Sequence, residues 1–297
     1  MPSAREMRLR IKSVKSIAQV TRALQTVSAS KVRKAMQAVL STRPYAEKAW
    51  KVIVHIARQP GSANLHPLLV ERAEVRKVLV VMISSDRGLC GAYNVNILRE
   101  TLSYFRKLGK PVSYISVGRK GRDLLARRGQ NLAADFNALP SPPTFMDVSA
   151  IGRLAVDAFL QGEVDQVFLA YTDFRTMTKQ DIVIRKLLPI EVEVAGSSVH
   201  GFNITHHKSN AVFIYEPDQD EVLSTVVPRF TALQIYQAVL SAQASEHAAR
   251  MISMQNATDN AQELIRELQL DYNKARQQAI TNEMLDITSG AEALRNS

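Results

Sequence analysis

Two stretches of the chain carry apolar residues at helical spacing with no glycine or proline to interrupt them. In the first, residues 3–43, Met7, Ile11, Val14, Ile17, Val20, Leu24 and Val27 recur every three or four positions, the stripe of an amphipathic helix. In the second, residues 229–289, Pro228 and Gly290 bracket the run. Two interleaved series there follow a heptad: Ala244, Met251, Ile265, Tyr272 and Ala279, and Leu240, Met254, Ala261, Leu268 and Ala275. At 1.5 Å per residue the second helix extends roughly 90 Å, far beyond the span of an ordinary domain. Its seam favours Ala, Met and Thr258, which lets a partner helix approach closely. Each terminal helix is the other's seam candidate, and the pattern predicts a long antiparallel coiled coil of the N- and C-terminal helices. The plainer alternative lays each helix on a globular domain, but leaves much of the apolar stripe uncovered. Pro44 is expected to kink the first helix, which resumes over residues 45–58 and stops at Pro60-Gly61.

Between the helices the period changes. Residues 77–84 form a continuous apolar run of the kind found in buried parallel strands. A helix is expected over 94–108, a strand over 111–117, helices over 119–128 and 148–160, and a strand over 166–172. Alternation of this kind predicts an α/β fold, a Rossmann-like domain with a mostly parallel sheet. Residues 181–194 and 211–215 read as later strands forming an antiparallel edge hairpin, with loops at 139–143 and 195–210. The expected divisions are residues 1–59 for the N-terminal coiled-coil helix, 75–216 for the Rossmann-like domain and 217–297 for the C-terminal helix.

With 297 residues and 46% hydrophobic content the chain buries a core and still spends residues on an extended element. No apolar run approaches the ~20 residues that span a bilayer, and one cysteine, Cys90, excludes an internal disulfide. The net charge of +10 points to an anionic partner, and its distribution narrows the choice. Over residues 3–43 ten Lys or Arg face Glu6 alone, whereas the C-terminal helix is mildly acidic. The charge is therefore assigned almost entirely to the N-terminal end.

The turn at 84–94 (SSDRGLCGAYN) follows the first strand, where nucleotide-binding folds hold phosphates. It has neither the G-x-G-x-x-G spacing nor a P-loop, so Gly88 and Gly91 are read as turn residues, and no cofactor is expected. Cys90 near a helix start has the position of an activated nucleophile but no helper. His55, His66, His200, His206, His207 and His247 are scattered and lack metal spacing. His247 is expected neutral on the coiled-coil seam, and Asp86 with Arg87 is read as a local salt bridge rather than an acid-base pair. These residues predict no catalysis within the chain.

Three segments carry a family resemblance: residues 10–35 (RIKSVKSIAQVTRALQTVSASKVRKA), residues 83–94 (ISSDRGLCGAYN) and residues 245–294, the last long and specific. Across nearly its whole length the chain resembles the gamma subunit of the rotary F-type ATP synthase, of bacterial type. The resemblance implies a non-catalytic central shaft that couples proton or sodium flow through the c-subunit ring to ATP synthesis or hydrolysis in the hexamer of alpha and beta subunits. It implies an epsilon subunit as a further partner, a peripheral place on the cytoplasmic side of a bacterial plasma membrane, and no nucleic acid. By position it implies beta-subunit contacts at Arg276, Gln277, Thr281 and Glu283. Lys31, Arg33 and Lys34 match basic shaft residues facing acidic beta loops, and Phe213, Tyr215 and Glu216 a foot on the c ring. Leu24 stands where many relatives carry Met, and residues 284–293 match the apical tip. The start of the chain, a few residues before the family pattern, is read as leaving no room for a transit peptide. Two readings from other classes stand beside this one: a nucleic-acid-binding basic coiled-coil protein, and a small-molecule enzyme using the turn at 84–94.

Overall fold

A computed structural model describes residues 4–57, 67–72, 74–190 and 219–295. Helix α1 (Ala4–Ala57) is followed by a single 3-10 turn (Pro67–Leu69) and then by strand β1 (Val78–Ile83), helix α2 (Tyr93–Leu108), strand β2 (Val112–Val117) and helix α3 (Arg119–Arg127). Strand β3 (Asn131–Phe136), helix α4 (Phe145–Leu160), strands β4 (Gln166–Phe174) and β5 (Gln180–Leu188) and helix α5 (Gln219–Arg295) follow among the described residues. The chain divides into two units, Ala29–Arg250 and the pair Met1–Ser28 with Met251–Ser297.

In the larger unit β1 is buried at all six positions and needs cover on both faces. Leu79, Val81 and Ile83 pack with α4, α5 and the α1 residues Ala46, Trp50 and Ile53. Val78, Val80 and Met82 pack on the other face with Ile97, Leu98 and Phe105 of α2 and Leu125 of α3. The sheet order is β3-β2-β1-β4-β5, parallel except for β5, which runs antiparallel to β4. This is the expected Rossmann-like arrangement. From Phe230 to Arg250 no residue of α5 is exposed. Trp50 stacks on Phe230 with ring centroids 5.4 Å apart. α4 comes close enough to α5 that a Cβ on Gly152 would lie 2.7 Å from Ala232 Cβ.

In the smaller unit the α1 and α5 segments form the antiparallel coiled coil. Met7, Ile11, Thr21 and Ser28 are buried on α1, with Val14 and Ala18 half-buried between them, a heptad spacing. On α5 the inner positions are Met254, Thr258, Ala261, Ile265, Leu268, Tyr272 and Ala275. Thr21 and Thr258 meet across the seam, hydroxyl to hydroxyl at 2.7 Å. Each hydroxyl also lies within reach of a carbonyl one turn back, Ala18 and Met254 respectively. One threonine therefore donates across the seam while the other donates to its own helix. Burial on α5 ends at Ala275, and residues 276–291 are all exposed.

Several expectations are corrected. Ile17, Val20 and Val27 are about half exposed, at 52%, 59% and 53%. After Val14 the seam steps by four to Ala18 rather than by three to Ile17, which holds the 3.5-residue period and places small residues where the helices meet. Ala279 lies beyond the seam, exposed. Helix α5 begins ten residues before Arg229 and runs through Pro228, because core burial of Val227 and Phe230 on either side offsets the proline's missing donor. It also runs past Gly290, where glycine costs only about 1 kcal/mol. α1 is one helix on both sides of Pro44. Strand β3, a short edge strand with alternating exposure, was not expected. β5 pairs with β4 through a turn in which Lys179 N–H donates to Thr176 Oγ1 at 3.0 Å. The segment 211–215, expected as its hairpin partner, lies outside the described residues, as do Pro60-Gly61 and the loop at 195–210.

The approach of α4 to α5 makes Gly152 the sharpest test of this packing. Gly152→Ala should destabilise the chain by about 1 to 3 kcal/mol in urea unfolding, since the added methyl meets backbone as well as side chain. Ala232→Gly in the same chain should recover part of the loss; full stability of Gly152→Ala alone would contradict the packing.

Candidate functional site

The turn after β1 is held from both sides. Asp86 accepts the backbone N–H groups of Arg119 at 2.9 Å and Ala138 at 3.0 Å, so its carboxylate ties the loops after β2 and β3 rather than pairing with Arg87 as expected. Ser84 Oγ accepts the N–H of Gly121 at 2.9 Å, and a Cβ on Gly121 would lie 2.4 Å from that oxygen. Asn94 folds back on Ser85, accepting its N–H at 3.0 Å.

From α5 the guanidinium of Arg250 reaches the same turn. It donates to Gly88 O at 3.2 Å, Arg87 O at 3.2 Å, Glu246 Oε1 at 2.7 Å and His247 Nδ1 at 3.1 Å. Because arginine only donates, Nδ1 accepts; the neutral ring then carries its proton on Nε2 and donates to Ser141 Oγ at 2.9 Å. Burial, with Arg250 and Lys31 adding repulsion, lowers the His247 pKa to about 3. His247 is thus neutral, as expected, but faces the loop before α4 rather than the coiled-coil seam. Burial raises the Glu246 pKa against the pull of Arg250.

In doubly wound sheets ligands bind beyond the carboxyl ends of the strands, at the switch point. Here α5 fills that place. Tyr93 OH donates to Ala242 O at 3.1 Å, Ser245 Oγ to Thr172 O at 3.1 Å, and Ser241 Oγ to Asp173 Oδ1 at 2.8 Å. A cavity among the described residues there, about 30 Å³ and lined by Ser84, Asp86, Gln243 and Glu246 among others, is far smaller than a cofactor site. Cys90 is buried, and desolvation raises its thiol pKa, the opposite of an activated nucleophile. The site's chemistry is that of a clamp.

The other candidates are dispersed. Lys31 is half-buried close to Glu246 and His247, and Arg33 and Lys34 are exposed. Arg276, Gln277, Thr281 and Glu283 are all exposed on the part of α5 beyond the seam. Thr281 Oγ1 donates to Gln277 O at 2.9 Å, and Arg276 and Glu283 lie two turns apart on nearly one face. Phe213, Tyr215 and Glu216 lie outside the described residues. Reading the sequence missed Arg250 and Glu246, although an i,i+4 ion pair inside an apolar stretch was visible. It also missed Leu89, 64% exposed at φ 63° in the turn that Arg250 grips.

A family model described as ATP synthase matches residues 3–294. The ATP synthase gamma chain of Dehalococcoides mccartyi is 45% identical over 296 residues, 99% of this chain and 100% of that one. The ATP synthase gamma chain of Chloroflexus aurantiacus is 41% identical over 99% of both chains. Among solved structures, a chain in the OSCP/F1/c-ring assembly of the Euglena gracilis mitochondrial ATP synthase shares the fold. Its TM-score is 0.66 at 20% identity, covering 98% of this chain and 94% of that chain.

Two outcomes test the clamp. Arg250→Leu should destabilise the chain by about 3 to 5 kcal/mol, because it leaves Glu246 buried without its partner, so the carboxyl must be desolvated as an ion or take up a proton, and leaves the carbonyls of Arg87 and Gly88 without this donor. Adding Glu246→Leu should recover more than half; a double variant as unstable as the single one would contradict the pairing. The second outcome concerns pH. The unfolded histidine takes a proton near pH 6.5 and the folded one only near 3, so His247 contributes stability above 6.5 that is lost as pH falls toward 3. His247→Gln should therefore lose less stability than the parent between pH 7 and 4.5, as read by urea midpoints with Glu246 present in both; equal losses would contradict the assignment.

Proposed function

The chain belongs to the ATP synthase gamma-chain family, and from that premise we propose that it is the central rotor shaft of an F-type ATP synthase. It couples ion flow through the c-subunit ring to ATP synthesis or hydrolysis in the hexamer of alpha and beta subunits. The gamma chain is a non-catalytic subunit: it moves against the catalytic ring and makes no bond in ATP. Its partners are the alpha and beta subunits, the epsilon subunit and the c ring. The protein sits at the periphery of a bacterial plasma membrane on the cytoplasmic side. Its kinship with the gamma chains of Dehalococcoides mccartyi and Chloroflexus aurantiacus supports that place. Among the described residues no helix is long and apolar enough to cross a membrane.

One observation carries the reading. From Arg276 to Ala291 α5 is exposed on every side, yet it keeps Ile280, Met284, Leu285 and Ile287 on its surface. A single helix of this length is marginal in water and calls for an enclosing partner. We assign beta-subunit contact to Arg276, Gln277, Thr281 and Glu283, the tip bearing to residues 284–293, further beta contact to Lys31, Arg33 and Lys34, and c-ring contact to Phe213, Tyr215 and Glu216. In working terms the shaft is residues 1–59 and 217–297, and the body is residues 75–216. Exposed polar contacts worth about 0 to 1 kcal/mol each suit a shaft, because they exchange as it turns and no angle becomes a trap.

Replacing Arg276, Gln277, Thr281 and Glu283 together with Ala should lower steady-state synthesis and hydrolysis severalfold in a complex that still assembles. Parental rates in the assembled quadruple variant would sink this assignment.

A further inference from the structure

The positive charge of the chain is not confined to α1. Residues 99–128 contain nine Lys or Arg against Glu100 and Asp123. Five of the nine gather at one place. α2 and α3 cover the same face of the sheet, and each ends in a left-handed glycine, Gly109 at φ 65° and Gly129 at φ 63°, before the chain enters neighbouring parallel strands. Asn131 Nδ2 donates to Ser113 Oγ at 2.8 Å and ties the two strand starts together. Arg106, Lys107 and Lys110 stand at the first turn and Arg127 and Arg128 at the second, all exposed. None of the five has an ion-pair partner among the described residues, whereas Arg99 and Arg122 do.

Cations at helix C-termini also answer the macrodipole, but two helix ends carry only about −0.5 charge each, so about four positive charges remain unbalanced. Between them sits Leu108, 39% exposed, with Tyr104 one turn earlier at 44%. Protein interfaces are built on a broader apolar and aromatic core than this. Several basic side chains around one or two amphipathic or aliphatic ones is the composition of a peripheral membrane contact.

We infer that the paired turns after α2 and α3 form a docking surface for a bilayer rich in anionic lipid, Arg106, Lys107, Lys110, Arg127 and Arg128 meeting phosphate headgroups and Leu108 entering the acyl boundary. Each basic residue contributes about fivefold in partitioning, so the surface is weak singly, strong together and weakened by salt. It supplies the body of the chain with a contact to the membrane surface that needs no spanning helix.

The test uses the purified full chain and sedimentation with vesicles of equimolar phosphatidylglycerol and phosphatidylcholine. Replacing Lys107, Lys110, Arg127 and Arg128 with Gln should reduce partitioning several hundredfold. A control of equal charge, with Arg8, Lys12, Lys15 and Arg22 of α1 replaced by Gln, should change it less than tenfold. Equal losses in the two variants would show attraction to net charge alone and overturn the proposal. So would parental binding by the first variant, or a loss by that variant of affinity for duplex nucleic acid or an acidic polypeptide with none for vesicles. In a separate variant, Leu108→Trp emission should shift to shorter wavelength on these vesicles, with Trp50 buried and silent; no shift would exclude insertion.

Discussion

The guanidinium of Arg250, buried between α5 and the turn after β1, is the interaction on which the larger unit depends. Two main-chain carbonyls, a carboxylate and an imidazole share its donors, so the turn's shape and the helix's position are set together. A buried ion pair of this kind adds little net stability relative to apolar packing, but losing one partner is costly. It therefore acts on placement more than on strength. The clamp sits where related sheet architectures hold a nucleotide, and the helix that fills the place is the same α5 that continues into the coiled coil.

Most of the fold was legible from periodicity. The heptad of α5 predicted its seam over Met254 to Ala275, whereas Leu240 and Ala244, read on the same seam, are buried in the larger unit; the all-apolar run of β1 predicted a sheet covered on both sides. The errors came where two patterns compete. On α1, stripes one residue apart both look apolar, and choosing Ile17, Val20 and Val27 over Ala18, Thr21 and Ser28 follows from weighting hydrophobicity above the small size that a close seam needs. Pro228 was read as an end because its local cost was counted without the burial that offsets it at Val227 and Phe230, and Gly290 because the small cost of one glycine in a helix was taken as a stop. The clamp was hidden for another reason: Arg250 looks like a surface charge until the turn at 84–94 folds onto it.

The coiled coil is built for contact rather than for strength. Its middle carries Thr21 against Thr258 and Ala18 and Ala261 nearby, which bury little area and fix register by a hydrogen bond. Beyond Ala275 even that partnership ends. A helix anchored over residues 230–250, paired over 251–275 and bare over 276–291 has three stabilities along one element, and only in the last is every side chain exposed and open to another protein.

Hydrogen exchange along α5, in the free chain and in the chain assembled with alpha and beta subunits, tests this most directly. The free chain should protect the amides of residues 230–250 strongly and those of 251–275 less, with protection falling sharply after Ala275 and reappearing over 276–291 on assembly. Protection over 276–291 in the free chain equal to that over 251–275, or no gain on assembly, would contradict the account.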